Sequence, residues 1–276
     1  MSIRLSATEA APTSENLAGR ELRKVSWPAD LETALLELPP YLPAFEPAYW
    51  NDPGESLAAR HVAPRSKGSA RATLPITSEG AYRIISVESG LEYNWAIVID
   101  GLLRPEYMVE QPEPICFYDI DGIEREHTFD FFIVTADSRR IYIQVKPLIF
   151  VERGFWDSTM KLIASQLCAD HADEVLLLTE VGLHPDTVAN AKLLRYVRRC
   201  PPLAAEDVVL DLLASAGATS TIEELVAASG LGGVAFVAAL RLIDRGWLVV
   251  FEEGRIGYGS RVFLAAARFE HPQRVI

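Results

Sequence analysis

Three polar side chains on two neighbouring predicted strands could act together on one substrate. Asp130 lies near the start of the first strand, and Gln144 and Lys146 lie two residues apart near the end of the second. Because successive strand residues point to opposite faces, Gln144 and Lys146 share a face. A tight turn at Asp137-Ser138 folds the strands into a hairpin and brings Asp130 close to level with both. A carboxylate, an amide and an ammonium group are therefore expected in one small volume.

This combination of groups suits metal-assisted hydrolysis of a phosphodiester. Mg²⁺ prefers oxygen ligands and is commonly held by one or two carboxylates together with water and substrate phosphate. A lysine beside the ion can orient the attacking water and stabilise negative charge in the transition state. The alternative is a surface hairpin with ordinary solvated side chains, because an aspartate followed at a distance by Gln-x-Lys is a short pattern.

The start of a predicted helix offers a further carboxylate. Glu92 follows Ser89 by three residues, a spacing typical of a capping box at a helix N-terminus. The same carboxylate could complete a metal site with Asp130. Glu88 could share that helix face, but Glu92 is favoured because it lies inside the helix, where its position is fixed. His127, three residues before Asp130, is interpreted as a strand histidine with a local hydrogen bond, lying behind the site residues rather than acting as a catalytic base.

Alternation and helical periodicity predict the elements that must position these groups. Strands are predicted at 81–87, 107–119, 129–134, 140–146 and 174–179, and helices at 89–100, 157–171 and 185–199. The segment 1–28 is polar and is expected to form a loose arm, followed by a short helix at 31–38. A basic run follows, made of Arg60, Arg65, Lys67 and Arg71. It is interpreted either as a solvated loop or as a contact to backbone phosphates.

The sequence changes character after Pro201-Pro202, the best candidate for a linker. Three helices and then two strands are predicted there, at 205–216, 221–230, 231–245, 246–251 and 255–264. This order is typical of the winged helix-turn-helix plan, in which one helix enters the major groove of DNA. The third helix here offers mainly Arg241 and Arg245 for that purpose. Docking of a protein partner is therefore slightly favoured over base reading.

Composition limits the classes of protein that fit. The 276-residue chain carries a net charge of −12, which argues against a protein that coats nucleic acid by charge alone. Its three cysteines, Cys116, Cys168 and Cys200, are widely spaced, so reduced thiols in a cytoplasmic protein are expected. No apolar run reaches membrane-spanning length and no signal-peptide pattern opens the chain, so no membrane partner is expected.

The ordered series of motifs resembles TnsA, the endonuclease subunit of heteromeric transposases of the Tn-seven type, within the restriction-endonuclease-like nuclease superfamily. The resemblance runs from about residue 60 to about residue 270. It is carried by Glu92 at a helix start, Gln111-Pro112, His127-Thr-Phe-Asp130-Phe, Gln144-Val-Lys146, Leu178-Thr-Glu180, Asn190-Ala-Lys-Leu-Leu and the small C-terminal domain. Phe129 stands where the superfamily commonly has proline, and Gln144 replaces the more usual acid.

The resemblance implies both a set of site residues and a setting for the reaction. The metal ligands would be Glu92, Asp130, Gln144 and the backbone carbonyl of Val145, binding Mg²⁺ or Mn²⁺. The catalytic residues would be Glu92, Asp130, Gln144 and Lys146. The family further implies cleavage of the five-prime strands at mobile-element ends, alongside a DDE-type transposase (TnsB-like) and an AAA+ regulator (TnsC-like).

The expected fold class is α/β, with a restriction-endonuclease-like mixed-sheet core followed by a C-terminal winged-helix domain. The expected domains are an N-terminal arm and Pro-rich lead-in at 1–58, the nuclease domain at 59–200 and the winged-helix domain at 201–276. The residues alone lead to a metal-dependent nuclease with a winged helix, and transposition comes only from the resemblance. The alternatives are a stand-alone restriction or repair nuclease and a non-catalytic DNA- or protein-binding adaptor.

Overall fold

The fold is mixed α/β, as predicted. The computed structural model describes residues 3–6, 53–60, 71–167, 171–217 and 219–265. The expected helix at 31–38, most of the expected arm, Arg65, Lys67 and Cys168 lie outside these ranges. The chain divides into two compact units between His184 and Pro185. This division groups the helix that begins at Pro185 with the C-terminal unit, whereas the sequence placed it in the nuclease domain.

In the first unit the described residues form nine strands and three α-helices. The strands are β1 Ile3–Ser6, β2 Ala72–Ser78, β3 Ala81–Val87, β4 Tyr107–Glu110, β5 Ile115–Tyr118, β6 Glu124–His127, β7 Phe131–Val134, β8 Arg140–Val145 and β9 Glu174–Leu178. The helices are α1 Gly90–Val98, α2 Leu148–Glu152 and α3 Phe155–Gln166. A π-helical turn, Ile99–Leu103, continues α1, and a short 3-10 helix, Glu180–Gly182, follows β9.

A five-stranded mixed sheet lies at the centre of this unit, in the order β1-β9-β8-β7-β4. The strands β4, β7 and β8 are antiparallel, β9 is parallel to β8, and β1 is antiparallel to β9. The pair β7-β8 needs only a short turn, whereas the parallel connection from β8 to β9 passes through α2 and α3. The polar arm expected at 1–28 therefore contains a strand, β1, which pairs with the edge of β9.

Apolar side chains surround the central strands and pack against the neighbouring helices. In β8 all five residues from Ile141 to Val145 are buried. Helix α3 packs on the sheet through a cluster that includes Phe129, Tyr142 and Met160. From α1, the buried indole of Trp95 donates a hydrogen bond to the carbonyl of Thr179, beyond the end of β9, at 3.2 Å.

Two local expectations differ from the structure. The strand expected at 107–119 is two strands, β4 and β5, because Gln111 has a left-handed φ of 42° and Pro112 and Pro114 lack amide hydrogens. Strand β5 pairs instead with β6 in a separate hairpin. Strand β2, which pairs with β3, was not predicted, because it contains Pro75 and lies next to a segment rich in Pro, Gly and Ser.

The second unit contains four helices and a three-stranded sheet among the described residues. These are α4 Pro185–Arg198, α5 Ala205–Ser215, β10 Thr219–Thr221, α6 Ile222–Ser229, α7 Gly233–Asp244, β11 Leu248–Val250 and β12 Arg261–Leu264. The sheet has the order β10-β12-β11 with antiparallel pairings. Helix α6 starts in the predicted capping box, in which the amide of Thr221 donates to the carboxylate of Glu224 at 2.8 Å.

Helix α7 forms the core of the second unit. Its residues from Ala235 to Asp244 are all buried, and it packs against α4, α5 and α6. The three helices α5, α6 and α7, followed by two strands, have the order predicted for 205–264, with β10 as an additional strand. Across the described ranges, every helix is too short or too polar to cross a membrane.

Candidate active site

The hairpin of β7 and β8 sets the register of the candidate site. Its turn reverses at Ser138, which adopts a left-handed φ of 63°. The amide of Asp130 donates a hydrogen bond to the carbonyl of Ile143 at 3.0 Å, directly before the ladder of β7 and β8 begins. Asp130 therefore enters the hairpin level with the end of β8 that carries Gln144 and Lys146, as the alternation predicts.

One carboxylate oxygen of Asp130 is surrounded by three donor groups. Its Oδ2 accepts a hydrogen bond from the amide of Val145 at 2.7 Å and another from the side-chain amide of Gln144. The same oxygen lies 3.5 Å from Nζ of Lys146. Asp130 is 7 % exposed and Gln144 only 1 %. The structure thus brings three of the four predicted catalytic side chains together on a single atom.

Glu92, the fourth predicted residue, lies buried in the first turn of α1. Its carboxylate accepts hydrogen bonds from the amide of Glu88 and the hydroxyl of Ser89, both at 2.8 Å. The oxygen of Ser89 in turn accepts from the amide of Glu92 at 3.1 Å. The predicted capping role is therefore present, although the carboxylate binds the amide one residue before the N-cap. Glu88, the alternative ligand, instead pairs with Arg60 at 2.9 Å.

The carboxyl group of Asp130 lies in an environment that disfavours its negative charge. Burial raises the pKa of Asp130 to about 6, the ammonium of Lys146 opposes this rise, and the charge of Glu92 adds to it. The effect of Glu92 on that pKa means that the two carboxylates share one electrostatic environment. The charge of Lys146 opposes only part of the rise in the pKa of Asp130, so a bound cation would further stabilise the ionised form of this carboxyl group.

Two aromatic rings hold the polar ends of Gln144 and Lys146. Nε2 of His127, at the end of β6, lies 2.7 Å from Oε1 of Gln144. Nζ of Lys146 lies 4.8 Å from the ring centre of Trp156 in α3, a cation–π distance. Burial lowers the pKa of His127, the hydrogen bond with Gln144 opposes this change, and the charge of Lys146 adds to it. His127 is hydrogen-bonded, as interpreted from the sequence, but its partner is a site residue rather than a local group.

No model of a known protein family matches the chain, and no curated protein matches it either. The chemistry of the site is therefore the ground for assigning a function.

The donor set at this site fits a hard divalent cation. Within the described ranges, no group of three or more His, Cys, Asp or Glu side chains could hold a metal ion. The predicted set differs, because it combines the carboxylates of Glu92 and Asp130 with the amide of Gln144 and the carbonyl of Val145. Mg²⁺ commonly uses only one or two protein carboxylates, and both carboxylates here are buried, with the charge of Glu92 acting on Asp130. The amide of Gln144 must turn its oxygen toward Asp130 to join this set.

Arg60 connects the rim of the site to the end of β4. Its Nη2 donates to Oε1 of Gln111 and to the carboxylate of Glu88, both at 2.9 Å, and about half of its side chain is exposed. The amide of Gln111 donates to the carbonyl of Asp130 at 3.0 Å. Of the predicted basic run, Arg60 therefore lies next to the site, and a contact between Arg60 and phosphate stays a prediction.

Trp156 is the residue of this region that sequence reasoning missed. It lies one position before the predicted helix start, and its contact with Lys146 depends on how α3 packs on the sheet. The usable signal is its residue type, because a tryptophan that opens an amphipathic helix directly after a charged strand end can stack on that charge.

Arg241 and Arg245, the residues that the sequence offers for base reading, pair with a carboxylate inside the second unit. Arg241 is 7 % exposed, and its Nε pairs with the buried carboxylate of Glu206. Its Nη1 donates to the carbonyl of Val197 at 3.2 Å. Arg245 pairs with the same Glu206 at 2.7 Å and lies over the ring of Trp247. The burial of Arg241 fits the slight preference for protein docking over base reading, which stays a prediction.

Proposed function

We propose that this chain is a metal-dependent DNA endonuclease of the TnsA-like type, acting as a subunit of a transposase. The convergence of Gln144, Val145 and Lys146 on one oxygen of Asp130 is the observation that carries this proposal. A surface hairpin with solvated side chains would leave these groups exposed and apart. Their burial, together with the influence of Glu92 on the pKa of Asp130, favours a site that handles charge.

The architecture supports the restriction-endonuclease-like core and the winged-helix domain that the resemblance implies. The central sheet is mixed, helices pack against it, and the site residues lie where β7 begins and β8 ends. In the second unit the three helices α5, α6 and α7 are followed by the antiparallel strands β11 and β12, the order of a winged helix. The same convergence of side chains counts against a non-catalytic adaptor, which would use the sheet only as a scaffold.

Each residue of the site has a distinct role in the proposed reaction. Glu92 and Asp130 hold Mg²⁺ or Mn²⁺, with Gln144 and the carbonyl of Val145 as further oxygen donors. When bound, the ion supplies Lewis-acid polarisation of the phosphate and a water of lowered pKa. Lys146, 3.5 Å from Asp130, orients the attacking water and stabilises the charge that develops on the phosphate.

Asp130→Ala and Lys146→Ala test these roles. Asp130→Ala is expected to abolish divalent-metal-dependent strand cleavage, because it removes a ligand that also organises Gln144 and Lys146. Lys146→Ala is expected to keep metal affinity but to lower the cleavage rate by about 10²- to 10³-fold, the effect of removing one charge stabiliser. Cleavage is measured on duplex DNA that carries the ends of the encoding element, with the partner proteins present, and metal affinity is measured by calorimetry.

Asp137→Ala is the matched control, because this exposed carboxylate lies in the turn of the same hairpin and pairs only with residues of that turn, Thr135 and Arg139, among the contacts described. It is expected to leave cleavage unchanged. Circular dichroism on all three variants establishes that the fold is intact. Normal nicking by a folded Asp130→Ala or Lys146→Ala protein would refute the assignment.

A transposase subunit is favoured over a stand-alone nuclease because the overall charge of the chain opposes binding to DNA without a partner. Its net charge is −12, and Arg241 and Arg245 both pair with Glu206. The proposed partners are a DDE-type transposase resembling TnsB and an AAA+ regulator resembling TnsC, which would deliver the nuclease to the element ends. A stand-alone restriction or repair nuclease would instead cut plain duplex efficiently as a purified protein.

A further inference from the structure

His127 and Gln144 form a hydrogen bond whose direction can be assigned from chemistry. The bond joins Nε2 of His127 to Oε1 of Gln144 at 2.7 Å. An amide oxygen carries no hydrogen, so the imidazole must donate through Nε2. The nitrogen end of the same amide donates to Oδ2 of Asp130. Gln144 therefore bridges His127 and Asp130 with its two ends fixed in opposite directions.

This orientation conflicts with the role of Gln144 as an oxygen ligand beside Asp130. To offer its oxygen there, the amide must rotate by half a turn. Its NH₂ group then faces His127, and Nε2 of the imidazole must change from donor to acceptor. A neutral imidazole makes that change by moving its proton to Nδ1, since one ring nitrogen donates while the other accepts.

We propose that His127 is a positioning residue whose tautomer selects which end of the Gln144 amide faces Asp130. Cation binding at the site is thereby coupled to a shift of the imidazole proton from Nε2 to Nδ1. This inference rests on the proposed function, because it requires that a divalent cation binds beside Asp130. His127 itself contacts neither the cation nor the DNA.

Aromatic side chains hold the imidazole ring of His127 in place. The ring of Phe129 lies in a T-shaped contact with the imidazole with centres 4.7 Å apart, and the ring of Trp156 lies 6.2 Å away. These are contacts between rings, and neither is a hydrogen bond to a carbonyl or carboxylate that would fix one tautomer. The backbone of Gln144 is held in the buried strand β8, so its side-chain amide can follow a change at His127 by rotating about its last single bond.

The tautomer of His127 can be read directly by nitrogen NMR. The full-length protein is labelled with ¹⁵N, and the ring nitrogens of His127 are assigned by their loss in His127→Phe. Without metal, Nε2 is expected to carry the proton. With saturating Mg²⁺, which is diamagnetic, Nε2 is expected to show the shift of an unprotonated nitrogen and Nδ1 that of a protonated one. Calorimetry on the same sample establishes that Mg²⁺ is bound.

A variant cycle separates positioning from a merely structural role. His127→Phe keeps an aromatic ring but cannot hold the amide, and it is expected to weaken Mn²⁺ binding about tenfold, the usual effect of losing a partner of a metal ligand. In the Gln144→Met background the same change is expected to have no further effect, because His127 acts only through Gln144. His127→Gln, which can donate or accept, is expected to restore much of the affinity.

The outcomes distinguish this inference from the proposed function. Absence of divalent-metal binding by the parent protein would overturn both. Metal binding without a change of the His127 tautomer would overturn the inference and leave the nuclease proposal standing. An equal loss of Mn²⁺ affinity from His127→Phe in the parent and in Gln144→Met would do the same, since His127 would then act independently of Gln144.

Discussion

The raised pKa of Asp130 links the stability of the metal-free protein to pH. Burial moves this pKa from 3.8 to about 6 in the folded protein, so the folded state binds the proton more tightly than the unfolded chain does. Protonation of Asp130 therefore favours folding, and this contribution is lost as pH rises from about 4 through 6. Above that window Asp130 is charged in both states and the loss is complete.

Asp130→Asn, which cannot ionise, isolates this effect. Between pH 4 and pH 7 without metal, the parent is expected to lose about 2 kcal/mol of unfolding free energy relative to the variant. Urea denaturation of both proteins at the two pH values measures the difference. A stability difference that stays constant with pH would mean that the pKa of Asp130 is not raised in the folded protein.

Trp156 is expected to hold the ammonium of Lys146 for catalysis. Nζ of Lys146 lies 4.8 Å from the ring centre, and such contacts contribute about 0.5–2 kcal/mol. Trp156→Leu keeps an apolar side chain but removes the π face, so the cleavage rate is expected to fall about 3- to 30-fold with unchanged metal affinity. Trp156→Phe should retain part of the rate. Equal losses in the two variants would argue for a packing role alone.

At the scale of elements, helix α7 is expected to stabilise its unit through Arg241. Arg241→Ala leaves the carboxylate of Glu206 buried without its closest partner, and should lower the unfolding free energy by about 3 kcal/mol. Arg245→Ala removes an ion pair to the same Glu206 from a side chain that is 40 % exposed, and should cost less than about 1 kcal/mol. Chemical denaturation distinguishes them. If Arg241→Ala lost DNA binding without losing stability, Arg241 would have to be assigned to a DNA-binding surface instead.

The elements that sequence predicted well are those with local signals. The alternation in 140–146 and the polar turn at Asp137-Ser138 gave the hairpin, and Ser89 with Glu92 gave the start of α1. One failure involves a partner distant in sequence. Strand β2 contains Pro75 and pairs along its whole length with β3, and its Ser78 accepts a hydrogen bond from the amide of Met108 in β4. The break after β4 has a local cause, the positive φ of Gln111.

The same division applies to the site. Asp130, Gln144 and Lys146 were brought together by strand register alone, which period-two alternation reveals. The contact of His127 with Gln144 and that of Trp156 with Lys146 were not predictable. His127 comes from the separate β5-β6 hairpin and Trp156 from α3. The orientation of the Gln144 amide depends on both neighbours at once, and only the folded structure shows it.

At the scale of the whole molecule, charge predicts weak binding to DNA. Phosphate contacts require several cations in one place, whereas the chain carries a net charge of −12, Arg241 of α7 is buried, and Arg245 pairs with Glu206. The purified protein is expected to bind duplex DNA with a Kd of about 10⁻⁶–10⁻⁴ M and with little sequence preference. Titrations at physiological salt compare random duplex with element-end duplex, with and without the partner proteins.

Tight and sequence-specific binding by the protein alone would contradict this expectation. It would mean that the second unit reads bases through a surface other than the buried face of α7, and the protein-docking interpretation would have to be dropped. A gain in affinity only when a partner is added would support delivery by that partner.

The capping bonds of Glu92 place two selective pressures on one side chain. Its carboxylate holds the first turn of α1 through Glu88 and Ser89, and in the proposed reaction it also binds the cation. Substitutions there would lower protein abundance and specific activity together, so a survey that scored only transposition in cells could not tell which was lost. A related protein that had lost cleavage activity would still be expected to keep a hydrogen-bonding residue at this position, because the first turn of the helix requires it.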